Sequence, residues 1–190
     1  MILDIIIPFI SILLAEFGDK TQIAVLSMSS KFKNQKALFI GVFLGFLVVD
    51  GLAVYFGNYL INYIPLFWIK IISGLIFLII GLIGLFNKEE EDDEEIKFNK
   101  KAKSTMLVGF TVIFFAEMGD KSQITSALFG TIYNAELVLL GVMLSLSFLT
   151  ILAMYLGKYL FKKFKIETIN KYANYLFIIL GIITIVSLYI

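Results

Sequence analysis

Two acids, a lysine, a hydroxyl and an amide recur in the same order at two places in the chain, AEFGDKTQ at Ala15 to Gln22 and AEMGDKSQ at Ala116 to Gln123. Both copies sit in apolar stretches of membrane length. A charge at bilayer depth costs about 2.5–3.5 kcal/mol on insertion scales, so intramembrane acids are functional-site candidates by default. Glu16, Asp19, Glu117 and Asp120 offer carboxylates, and Thr21, Gln22, Ser122 and Gln123 offer neutral oxygens beside them. An oxygen-only set of this kind suits a hard divalent cation. In a continuous helix Glu16 and Asp19 share one face at i and i+3, as do Glu117 and Asp120. Gly18 and Gly119 lie between the acids and permit close backbone approach or local unwinding, so each motif helix is a candidate for a break or bend.

Charge narrows the chemistry further. Four carboxylates set against Lys20 and Lys121 leave about −2 when all are ionised, which one divalent ion or two protons would neutralise. A carboxylate must lose its proton to bind a metal, so the two ligands compete for coupled groups, which is an exchanger in outline. Moving a divalent ion outward against a negative interior costs roughly 4.6 kcal/mol per 100 mV, and inward protons could supply it. Lys20 and Lys121 either balance charge during transport or fix the geometry of an empty site by pairing with Asp19 and Asp120. Asp50, in the middle of the second apolar run, has Thr150 as its counterpart. It reads as a proton relay or extra ligand, or else as a packing carboxyl bonded to a neighbouring hydroxyl.

These residues must be held by membrane helices. Of 190 residues 59% are hydrophobic, and apart from Asp50 charge is confined to short connections, span ends and the two motifs, the composition of an integral membrane protein. The net charge of +1 gives no reason to expect nucleic acid, and the absence of both cysteine and histidine removes thiolate and imidazole chemistry. No cofactor is expected. Six transmembrane helices are predicted, at 2–29, 37–61, 66–86, 104–130, 135–161 and 169–190, in an all-α fold. The acidic and lysine-rich run 87–103 divides them and reads as a solvated cytoplasmic linker.

The halves 1–86 and 104–190 match beyond the motif. AVYFGNYL at Ala53 to Leu60 answers AMYLGKYL at Ala153 to Leu160, and LIFLIIG at Leu75 to Gly81 answers YLFIILG at Tyr175 to Gly181. This is a duplication. With three spans in each half, the second enters the membrane from the opposite side, giving inverted repeats that face one another across the midplane. Lysine placement agrees: Lys31, Lys33 and Lys36, then Lys88, Lys97, Lys100, Lys101 and Lys103, then Lys158, Lys162, Lys163, Lys165 and Lys171 fall on one side, against Lys70 on the other. By the positive-inside rule both termini lie outside the cytoplasm, with Tyr63, Trp68, Tyr133 and Tyr189 near the outer interface. Gly41 with Gly45, and Gly141 with Ser145, follow small-xxx-small spacing and read as close helix packing.

With EFGDKT at Glu16 to Thr21 and EMGDKS at Glu117 to Ser122, the chain resembles a family of small divalent-cation/proton exchangers whose members carry two copies of an ExGD(K/R)(S/T) motif. The resemblance covers the whole chain. Such proteins are described as manganese exporters in bacteria and as calcium and manganese transporters of Golgi or chloroplast membranes in eukaryotes. It implies that Glu16, Asp19, Glu117 and Asp120 act as ligands or proton acceptors, with Lys20, Thr21, Lys121 and Ser122 at the basic and hydroxyl positions. It further implies export of Mn2+, or else Ca2+, in exchange for protons across a prokaryotic plasma membrane. A passive divalent-cation channel and a non-transporting scaffold or partner subunit are the alternatives. An enzyme is not expected, because no nucleophile-base pair or cofactor motif is present. The number of copies that assemble is not legible.

Overall fold

The computed structural model describes residues 1–86, 104–163 and 166–188. The predicted linker 87–103 and Tyr189 lie outside them. The described residues form eight helices and no strand: α1 (Leu3–Glu16), α2 (Lys20–Lys31), α3 (Gln35–Leu60), α4 (Leu66–Phe86), α5 (Thr105–Glu117), α6 (Lys121–Ile132), α7 (Ala135–Lys163) and α8 (Ile166–Val186). Helices α1 to α4 answer α5 to α8 in order and closely in length.

Local chemistry sets the boundaries. Asn34 begins α3 by accepting from the Ala37 N–H at 3.1 Å, Ser104 begins α5 by accepting from Leu107 at 3.3 Å, and Asn134 begins α7 by accepting from Glu136 and Leu137. Each side chain satisfies donors that the first helical turn leaves open. Pro65 lies just ahead of α4, where its missing N–H costs nothing.

Two of the six predicted spans are not continuous helices. The run 2–29 is divided into α1 and α2, and the run 104–130 into α5 and α6. The cause is backbone geometry: Gly18 has φ +79° and Gly119 has φ +85°, left-handed values that stop a right-handed helix and that glycine alone adopts without a steric penalty. Among the described residues, α3, α4 and the Ala135–Tyr155 part of α7 are long and apolar enough to cross a bilayer. Helix α7 continues to Lys163, so Lys158, Lys162 and Lys163 belong to its end rather than to a loop.

The halves interlock through exchanged contacts. Helix α3 packs on α5 and α6 of the other half, α7 packs on α1 and α2, and α4 packs on α8. Gly41 of α3 abuts the Met106 carbonyl of α5, while its counterpart Gly141 of α7 abuts the Ile5 carbonyl of α1. Gly130 abuts the Val54 carbonyl, and at the matching place Ser29 Oγ donates to the Met154 carbonyl at 3.4 Å. Between α4 and α8, Gly74 meets Gly181 and Gly81 meets Asn174, an antiparallel pairing of equivalent positions. Phe77 and its counterpart Phe177 stack with ring centroids 6.1 Å apart. The contacts thus recur at equivalent positions of the two halves, and the small residues let backbones approach closely.

Candidate cation site

Both motifs fold the same way. Helix α1 ends at Glu16, Phe17 is extended (φ −67°, ψ 112°), Gly18 turns left-handed, and Asp19 opens α2 in extended geometry (φ −68°, ψ 167°). The second copy repeats this through Met118 (φ −66°, ψ 114°) and Asp120 (φ −79°, ψ 165°). Glu16 and Asp19 therefore do not share a helix face at i and i+3, and neither do Glu117 and Asp120, because the helix stops between them. Neither aspartate makes a side-chain bond to cap its helix. Each break also puts the carbonyl end of one helix at Glu16 or Glu117 and the N–H end of the next at Asp19 or Asp120, so partial charges of both signs lie within the motif.

The break brings acids of the two halves together. Carboxylate oxygens of Glu16, Asp19 and Asp120 all lie within 4.8 Å of one another. Two ligands across one calcium-sized ion stand about 4.6–5.2 Å apart, twice the usual metal–oxygen distance, so the cluster is already close to coordination size. Glu16 has no exposed surface, and both its oxygens lack a hydrogen-bond partner in the protein. The hydroxyl of Thr21, the amide of Gln22 and Oδ2 of Asp120 are likewise buried and unpartnered. Buried polar atoms are normally bonded, so these unpartnered atoms of the two motifs are the ones that a ligand could engage.

The fourth motif acid is placed differently. Glu117, also fully buried, accepts a hydrogen bond from Ser122 Oγ at 2.9 Å and is not one of the three clustered acids. Gln123 Oε1 is engaged by the Gly119 N–H at 2.8 Å. Of the lysines, Lys20 reaches across the halves to Asp120, with Nζ 4.0 Å from Oδ1 and half its side chain exposed, a geometry that contributes little. Lys121 lies within electrostatic range of Glu16 and Asp19. Met118 is exposed. Asp50 of α3 has no exposed surface and accepts from Ser126 Oγ of α6 at 2.8 Å. Sequence reading missed Ser126; its signal was the polar residue standing where the first half has Val25.

An apolar, all-helical protein with a carboxylate cluster at the meeting of two duplicated halves has the makings of a membrane cation transporter. The family described as "Divalent cation/proton antiporter GDT1" matches residues 4–92 and 105–189, and the chain belongs to that family, one of transporters rather than enzymes. It is 27% identical over 183 residues to a Vibrio cholerae protein named "Putative manganese exporter", covering 94% of this chain and 88% of that one. It is 26% identical over 210 residues to GDT1-like protein 5 of Oryza sativa, covering 92% and 90%. A shorter stretch of 57 residues, 30% of this chain and 16% of the relative, is 46% identical to the chloroplastic PAM71-homolog of Arabidopsis thaliana. No solved structure matches the chain.

Proposed function

We propose that this antiporter exports Mn2+ from the cytoplasm in exchange for protons, with Glu16, Asp19 and Asp120 as the anionic ligands and Thr21 and Gln22 as neutral ones. The observation that carries this reading is the cluster of three acids drawn from both halves, with unpartnered oxygens beside it. Glu117 is the fourth acid of the site, held in reserve by Ser122, with Gln123 bracing the second break. Protons compete because each ligand must be deprotonated to bind the metal. Manganese is chosen over Ca2+ on the name of the Vibrio cholerae relative; an all-oxygen site accepts either.

In this reading the chain has six membrane spans in two inverted triplets, the broken pairs α1–α2 and α5–α6 each counting as one. The exchanged contacts between halves and the antiparallel α4 and α8 support it. Lysine placement sets both termini outside the cytoplasm, and the exposed Tyr63 and Trp68 suit the outer interface of a prokaryotic plasma membrane. The test is transport in proteoliposomes: an imposed pH gradient should drive Mn2+ accumulation in the wild type, and collapsing the gradient should abolish it. Flux that follows only the cation's own electrochemical gradient would make the protein a channel.

A further inference from the structure

Among the described residues, one buried acid lies outside both motifs. Asp50 sits in the middle of α3 with Oδ1 bonded to Ser126 and Oδ2 buried without a partner. The charged groups within its electrostatic range are Glu117 at the end of α5 and Asp120 at the start of α6, both of like sign. The described parts of α2 and α7, which also pack on α3, put no charged group in that range. A lone carboxylate in an apolar interior needs its charge neutralised. A single hydroxyl is too sparse a shell for a hard cation, which takes about six or more oxygens. The ligand that fits is a proton.

The correspondence of the two halves shows that this feature was built on one side only. At the equivalent place in the other half, Thr150 stands for Asp50 and Val25 for Ser126, on helices α7 and α2 that also meet. Thr150 satisfies its own hydroxyl by donating to the Leu146 carbonyl at 2.7 Å, so an apolar valine opposite it leaves nothing unbonded. Asp50 cannot do this, and its hydroxyl partner occurs only where the acid does.

We propose that Asp50 is a proton-binding carboxyl beside the cation cluster, oriented by Ser126 as a positioning residue, so that proton and cation occupy neighbouring groups. Because Asp50 and Asp120 feel one another's charge, a cation taken up at Asp120 and a proton held on Asp50 disfavour each other. That is the sign of coupling an exchanger requires. The inference rests on the exchange reading above.

The experiment compares two activities in proteoliposomes: Mn2+ accumulation driven by a pH gradient, and Mn2+-for-Mn2+ exchange without one. Asp50→Thr installs the residue of the other half, whose hydroxyl can use the carbonyl one turn back as Thr150 does. Asp50→Asn keeps the shape and carries the test should the threonine variant not fold. Both are expected to lose gradient-driven accumulation while still exchanging Mn2+, and Asp50→Glu is expected to restore accumulation. Ser126→Val is expected to shift the pH profile of accumulation. Wild-type accumulation by the asparagine or threonine variant, or loss of both activities in folded protein, would overturn the proposal. If the wild type itself shows no gradient-driven accumulation, the exchange reading fails instead.

Discussion

The two motif copies differ only by Phe17 against Met118 and Thr21 against Ser122 and share the same broken-helix backbone, yet their glutamates, hydroxyls and amides are in different states. In the first copy Glu16, Thr21 and Gln22 are buried with their oxygens unbonded. In the second, Glu117 is closed on Ser122 and Gln123 on the Gly119 N–H. One sequence pattern thus has two arrangements, one in which Glu117 Oε2 and Gln123 Oε1 are bonded within the protein while Glu117 Oε1 stays unpartnered, and one in which neither oxygen of Glu16 is bonded.

The sharpest way to break the contrast is to remove an acid from the open cluster. Glu16→Gln or Asp120→Asn is expected to lower Mn2+ affinity at least about 100-fold, since even outer partners of a metal site cost about 10–100-fold; equilibrium binding of Mn2+ to purified protein checks it. Glu117→Gln should weaken affinity less than Glu16→Gln, and equal losses would erase the distinction between copies. The hydroxyls sharpen it further: Thr21→Ala should weaken Mn2+ binding, whereas Ser122→Ala, which frees Glu117, should chiefly alter the turnover rate in vesicles. The smallest effect is expected at the breaks. Gly119→Ala should cost about 1–2 kcal/mol of stability through its left-handed backbone, because an added Cβ there meets no atom within 4 Å; thermal unfolding in detergent reads it.

Much of this was legible in the sequence because duplication prints each signal twice. The paired acids, the glycines between them and the matching Gly41 and Gly141 could be read from spacing alone, and the last two do sit against facing backbones. What spacing could not reveal is that Gly18 and Gly119 take positive φ. The acids were therefore read along a helix face, when they are brought together across the break and between the halves. Nor could the sequence distinguish Glu16 from Glu117, since their difference lies in whether a neighbouring hydroxyl has turned toward the carboxylate. Ser126 was hidden for another reason: its role depends on the α3–α6 contact, which no local pattern encodes.

The central claim is that acids from both halves hold a divalent cation in place of protons. It is tested most directly by adding Mn2+ to weakly buffered, purified protein and recording proton release. Protons should be released on binding, more weakly as the starting pH rises and the ligands are already deprotonated, and Glu16→Gln and Asp120→Asn should each diminish the release. Saturable Mn2+ binding with no proton released across the whole acidic to neutral range, or undiminished release from both variants, would contradict it.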